Sequence, residues 1–297
     1  MRTVLLAMPG NEAIAEAIAR RLQVYVVTPV IRTFPDGETY LRIDAELHGS
    51  NVAIVQTLSH PDGKILPLLF AADAARASGA GHVGLVAPYL AYMRQDKQFQ
   101  PGEAVTSKTI ARLLSGSFDW LVTIDPHLHR YKSLSEIYTI PATVLHAATL
   151  LSAWIGTNVL SPFLIGPDAE SAQWVSEVAK RIDAPFAVLE KTRLGDRNIE
   201  VRLIDGIDMT GRTPVLVDDI IASGTTMLKA VRLVRRLSTH QPVCVAVHGL
   251  FADGSDRQLQ DAGARLVTSN SVPHVSNAMD VGGMLADATA QMAQTIK

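Results

Sequence analysis

Short apolar runs rich in β-branched residues alternate along the chain with longer stretches whose apolar residues recur at helical spacing. That alternation is the mark of parallel sheets covered by helices. Strands are predicted at TVLLAM (3–8), VAIVQTL (52–58), HVGLVAPY (82–89), WLVTIDP (120–126), FLIGPD (163–168), FAVLEK (186–191), PVLVDDI (214–220), PVCVAVHGLF (242–251) and ARLVTSN (264–270). Helices are predicted at NEAIAEAIARRL (11–22), with Asn11 as its N-cap, at 63–80, at 170–182 and at 282–297. Pro141, Gly156 and Pro162 punctuate the chain after the first series of strands. The pattern therefore predicts an α/β protein of two domains, 1–145 and 146–297, each a mainly parallel sheet flanked by helices. The final helix is expected to pack back on the N-terminal domain. The halves share no repeat at the level of residues, so any duplication would rest on the order of elements alone.

Composition narrows the classes without choosing among enzymes. Of 297 residues 47% are apolar and 19% charged, enough for a large core and against disorder. A net charge of -2 gives no basis for general binding to nucleic acid or to a membrane surface. No stretch approaches the ~20 apolar residues of a membrane span, and MRTVLLAMPG reads as a first strand rather than a leader, so the expected location is the cytoplasm. Cys244 is the only cysteine, which excludes an internal disulfide and a multi-cysteine metal site; its apolar flanks predict a packed thiol.

Several stretches carry chemistry. In VLVDDIIASGTTM (215–227), Asp218 and Asp219 close an apolar strand, and Ala222, Ser223, Gly224, Thr225 and Thr226 form a small, hydroxyl-rich turn before a helical run from Met227. Backbone N–H groups and the helix N-terminus suit a phosphate, while the two acids suit sugar hydroxyls; the plainer reading is a capped helix start with solvated acids. FPDGETYLRI (34–43) has a hairpin-type Asp36-Gly37. In the loop RQDKQFQPGE (94–103), Arg94 and Gln95 are able to hold nucleotide phosphates and base, since a guanidinium offers a fork of charge-assisted hydrogen bonds. His127 and His129 in TIDPHLHR (123–130) are too few for a metal site by themselves, and Asp168 in IGPDAESAQWV (165–175) is otherwise a helix N-cap. Lys191 and Arg193 in LEKTRLGDRNIEV (189–201) share one side of an extended segment, which by itself reads as a solvated basic hairpin.

Together and in their order along the chain, these six stretches resemble the ribose-phosphate pyrophosphokinase (PRPP synthetase) family, whose two domains have the phosphoribosyltransferase-type fold. The resemblance runs from about residue 1 to residue 285 and includes TSNSVPHVSNAMDV (268–281), which is given no catalytic role. It implies transfer of pyrophosphate from ATP to ribose 5-phosphate, with Mg²⁺ as the metal. Phe34, Asp36, Gly37, Glu38, Arg94 and Gln95 would then bind ATP, the hairpin reaching across a subunit interface of a homo-oligomer. His127 and Asp168 would stand at the metal, Lys191 and Arg193 on a catalytic loop, and Arg193 with Asp218, Asp219 and residues 222–226 on ribose 5-phosphate. The rival readings are a phosphoribosyltransferase and a catalytically silent homologue that regulates a synthetase by co-assembly. Two positions depart from many family members: Ala222 replaces a third acid, and Thr225 stands where Gly is usual. If the turn needs a left-handed backbone at 225, a β-branched residue there weakens the phosphate cradle.

Overall fold

The apolar run Thr3–Ala7 forms strand β1 and is followed by helix α1 (Glu12–Leu22), β2 (Val26–Val27), an antiparallel hairpin of β3 (Val30–Thr33) and β4 (Thr39–Arg42), and β5 (Asn51–Val55). Then come α2 (Asp62–Ala77), β6 (His82–Ala87), α3 (Thr106–Ser117), β7 (Trp120–Ile124) and β8 (Ala142–Leu145). These build one six-stranded, all-parallel sheet in the order β2-β1-β5-β6-β7-β8. The computed structural model describes residues 2–194, 198–202 and 209–296.

The second half runs α4 (Ala148–Asn158), β9 (Pro162–Gly166), α5 (Ala172–Arg181), β10 (Phe186–Val188), β11 (Glu190–Leu194), β12 (Asn198–Arg202), β13 (Thr213–Ile221), α6 (Thr225–Leu237), β14 (Val243–Gly249), α7 (Ser255–Asp261), β15 (Arg265–Ser269), β16 (Asn277–Met279) and α8 (Gly282–Thr295). Its parallel sheet has the order β10-β9-β13-β14-β15-β16, and β11–β12 is again an antiparallel hairpin. The two sheets are thus built by the same succession, each with a hairpin inserted between its second and third strands in chain order. Two compact units result, Met1–Leu145 with Val281–Lys297, and His146–Asp280. Within the first, α8 lies against α1, where Asp287 accepts from Arg21 at 2.7 and 2.8 Å.

Residues in the central strands β5, β7 and β14 are buried throughout, which is why these strands read as nearly continuous apolar runs rather than alternating ones. Gly84 in β6 is paired in register with Trp120 of β7. A Cβ at Gly84 would lie 1.9 Å from the indole, so glycine is the residue that lets this fully buried ring lie across the sheet.

Three expectations need correction. Asn11 does not cap α1 with its side chain; its Nδ2 donates to the carbonyls of Met8 and Pro9 and its Oδ1 accepts from Thr57 N–H at 2.7 Å, tying the end of β1 to the segment after β5. Gly156 does not break the chain but lies inside α4. FAVLEK is not one strand: Phe186–Val188 adds an edge to the second sheet, while Glu190–Leu194 leaves it for the hairpin. Cys244 is fully buried in β14, and burial pushes its thiol far above the ordinary value.

Candidate active site

In the second unit the site begins at the C-terminal end of β13, where open parallel sheets bind their ligands. Asp218 and Asp219 are the last polar residues of this nine-residue strand and are partly buried, whereas the apolar residues before them are buried completely. Asp168 follows β9, the strand hydrogen-bonded beside β13. Burial first, and then the negative charges of Asp219 and Asp168, push the Asp218 carboxyl well above its ordinary range. No described lysine or arginine pairs with Asp218. The three acids therefore form a negative neighbourhood suited to sugar hydroxyls or a divalent cation. Asp168 also has the capping geometry of its plainer reading: its Oδ1 accepts from Ser171 N–H at 3.3 Å and its carbonyl accepts from Ser171 Oγ at 2.6 Å.

The turn after β13 faces the opposite sign of charge. Gly224, with φ of 66°, is the N-cap of α6, and Thr225 is the first helical residue. The left-handed conformation thus falls on the glycine; Thr225 is absent from the positive-φ residues. The concern raised by a β-branched residue at 225 disappears, because the first turn of a helix asks only for helical φ. Ser223 and Thr225 are exposed with their hydroxyls 3.3 Å apart, above a thirteen-residue helix whose first N–H groups lack intrahelical acceptors. Ala222, Ser223, Gly224, Thr225 and Thr226 thus lie at the open N-terminus of α6, a place suited to an anion, with Asp218 and Asp219 immediately upstream.

In the first unit the predicted hairpin is present. Phe34 N–H donates to Glu38 O at 2.7 Å, Gly37 N–H to Phe34 O at 2.9 Å, and Glu38 N–H to Asp36 Oδ1 at 3.2 Å, with Gly37 at a φ of 94°. The turn is exposed, and Phe34 meets Tyr40 edge to face under the Arg32 guanidinium. No hydrogen bond or ion pair among the described residues links this tip to Arg94 or Gln95.

The loop bearing Arg94 and Gln95 is instead joined to the segment bearing His127. Arg130 Nη1 donates to Asp96 Oδ1 at 2.7 Å, and Tyr131 Oη donates to the Asp96 carbonyl at 3.1 Å. Tyr131 Oη also meets Ser107 Oγ at 3.0 Å, and Ser107 N–H donates to the Gln95 carbonyl at 3.3 Å. The Asp96 side chain is 1% exposed. Asp125 and His127 have φ of 35° and 49°, and His127 N–H donates to Asp125 O at 2.8 Å. Left-handed non-glycine residues of this kind concentrate at functional sites. The His127 and His129 rings lie 6.0 Å apart.

Lys191 and Arg193 lie two apart in β11, paired with Val201 and Ile199 of β12; their side chains fall outside the described residues. Among the described residues, no group of three or more His, Cys, Asp or Glu is arranged to hold a metal ion alone. Sequence reading passed over Asp96, Arg130 and Tyr131. Asp96 stands beside Arg94 and Gln95, but an acid in a charged loop gives no sign that it is buried.

Comparison with known proteins agrees with this geometry. Residues 3–117 match the model of the N-terminal domain of ribose phosphate pyrophosphokinase, and residues 133–282 that of the phosphoribosyl transferase domain. A ribose-phosphate pyrophosphokinase of Methanosarcina acetivorans is 31% identical over 290 residues, covering 97% of this chain and 99% of the relative. That of Saccharolobus solfataricus is 30% identical over 275 residues, covering 91% and 93%. The crystal structure of phosphoribosylpyrophosphate synthetase from Mycobacterium smegmatis superposes with a TM-score of 0.86 at 24% identity, over 99% of this chain and all of that one, which shows a shared fold. No helix among the described residues is long and apolar enough to cross a membrane. With two consecutive family models spanning most of its length and relatives alignable almost end to end, the chain belongs to the ribose-phosphate pyrophosphokinase family.

Proposed function

We propose that the protein transfers the pyrophosphoryl group of ATP to the 1-hydroxyl of ribose 5-phosphate, giving 5-phosphoribosyl 1-diphosphate and AMP. The observation that carries the reading is the end of β13, where the raised, crowded carboxyl of Asp218 beside Asp219 adjoins an anion cradle built on Gly224 and the α6 N-terminus. A phosphorylated sugar answers both: Asp218 and Asp219 accept from ribose hydroxyls while residues 222–226 donate to the 5-phosphate. The first unit would take ATP, with Arg94 and Gln95 at phosphates and base, and with Phe34, Asp36, Gly37 and Glu38 on the adenine of a neighbouring copy. The exposed hairpin tip supports a homo-oligomer; a fully active monomer in sedimentation would remove that part of the reading.

The residues fit a divalent cation. Burial and two neighbouring carboxylates disfavour the charged form of Asp218, a penalty that such an ion offsets. Mg²⁺ ordinarily uses one or two carboxylates plus substrate phosphates, a donor set these acids would share with ATP. Asp168 would hold it, and when bound it would supply charge neutralisation to the ATP phosphates; His127 is the first unit's own candidate for contact with those phosphates. As the ribose O1 forms its bond to the β-phosphorus, the bond from that phosphorus to the bridging oxygen breaks, AMP leaves, and the hydroxyl proton is lost. Charge grows on the bridging oxygen, where Lys191 and Arg193 would stabilise the transition state more than the ground state. Use of ATP and ribose 5-phosphate supports a cytoplasmic location. The test incubates folded protein with ATP, Mg²⁺ and ribose 5-phosphate and follows AMP and the diphosphate by phosphorus NMR; no AMP would refute the assignment. Retention of Lys191, Arg193 and His127 weighs against a silent homologue.

A further inference from the structure

The turn that holds the anion is itself held from behind by the segment that follows β14. Leu250 N–H and Phe251 N–H donate to the Ile221 carbonyl at 2.9 and 3.2 Å, and Ala252 N–H donates to the Ala222 carbonyl at 2.9 Å. Ser255 Oγ donates to the same Ala222 carbonyl at 3.2 Å. Ser255 is buried, and its side chain lies so close to Gly224 that a Cβ there would sit 2.8 Å from the serine Cβ. Both outward-turned carbonyls of the Ile221–Ala222 step are thereby occupied, which fixes the peptide planes from which the 222–226 N–H groups project.

This supporting segment is not relaxed. Phe251 and Asp253 have φ of 46° and 56°, left-handed conformations that non-glycine residues hold only where their surroundings impose them. The surroundings are visible. The Phe251 ring stacks on His274 with centroids 4.4 Å apart, His274 Nδ1 meets Ser276 Oγ at 2.7 Å, and its Nε2 lies 3.5 Å from Asp256 Oδ2, one residue beyond Ser255. Gln258 Nε2 donates to the Asp253 carbonyl at 3.4 Å.

The geometry points to Ser255 as a positioning residue for the sugar-phosphate cradle, with the strained Phe251–Ser255 segment as the brace that sets its affinity. The inference rests on the functional reading above. Ser255 does not touch the ligand; it acts through the Ala222 carbonyl. Removing its hydroxyl leaves the Ala222 carbonyl held by Ala252 N–H alone while keeping the Cβ that packs on Gly224.

Calorimetric titration separates this role from a merely structural one. Ser255→Ala should weaken ribose 5-phosphate binding roughly three- to tenfold, the factor of one net hydrogen bond, while KM for ATP and kcat stay within about twofold. Equal loss for both substrates, or unchanged ribose 5-phosphate affinity, would overturn the inference. A second measurement needs no variant: in the wild-type protein, hydrogen exchange at the Leu250, Phe251 and Ala252 amides should slow several-fold on adding ribose 5-phosphate, and unchanged exchange counts against the brace. Wild-type protein that fails to bind ribose 5-phosphate at all would sink the functional reading instead.

Discussion

Replacing Arg130 with alanine should strand a buried charge, and the structure sets the size of the effect. The Asp96 side chain is 1% exposed and receives Arg130 Nη1 at 2.7 Å on one oxygen. Its other oxygen is buried with no hydrogen-bond partner. Truncating one member of a fully buried pair costs about 3–5 kcal/mol, because the remaining charge is left uncompensated; exposed pairs are worth no more than about 1 kcal/mol. Arg130 is 40% exposed, so water screens its side of the pair and we place the loss at about 2–3 kcal/mol. For a unit of this size that lowers Tm by roughly 4–12 °C, read by circular dichroism with variants melted in parallel. The decisive comparison is the Asp96→Ala, Arg130→Ala double variant, which removes the stranded charge and should recover at least about 1 kcal/mol relative to Arg130→Ala alone. KM for ATP should rise in Arg130→Ala while KM for ribose 5-phosphate does not, since the pair joins the Arg94–Gln95 loop to the His127 segment. A melting temperature indistinguishable from wild type, or single-variant losses that simply add in the double, would refute the reasoning.

Three further outcomes are expected. Asp218 has a folded-state pKa raised above 3.8, so its contribution to stability is fully present below that value and is lost as pH rises through the folded pKa. Asp218→Asn should accordingly be more stable than wild type at neutral pH yet bind ribose 5-phosphate poorly, with the stability gap closing on acidification below about 4; a variant less stable than wild type at pH 7 contradicts the charge argument. Lys191→Ala should lower kcat about 10²–10³-fold with ATP affinity nearly unchanged, the loss typical of one transition-state donor, whereas unaltered turnover removes its assigned role. Gly84→Ala forces a methyl to within 1.9 Å of the Trp120 ring and should cost about 3 kcal/mol or more, seen as a lower melting temperature or loss of soluble protein; a melt like that of wild type would mean the sheet yields there.

Much of the fold was legible because burial on both faces writes itself into composition. Strands such as Val243–Gly249 are surrounded by other elements, so every position but His248 is apolar or small and the run announces itself. The short edges Val26–Val27 and Asn277–Met279 were silent, since half-exposed strands of two or three residues have no period to read. Asn11 misled for a related reason. An Asn before an amphipathic stretch has the local chemistry of a cap, but its hydrogen bonds go to Met8, Pro9 and Thr57, and Thr57 is distant in sequence.

The site divides along the same line. The sequence by itself determined which residue types meet in one short segment: two acids at a strand end, then glycine and hydroxyls before a helix, a local arrangement whose chemistry follows from adjacency. Tertiary structure alone decided that Asp168 adds its charge to Asp218, that Asp96 is buried against Arg130, and that Ser255 reaches the Ala222 carbonyl. It also decided that the left-handed residue of the turn is Gly224 rather than Thr225. The first three depend on desolvation or on contact between residues far apart in the chain. Such quantities belong to the packed three-dimensional arrangement, and no window along the sequence contains both partners.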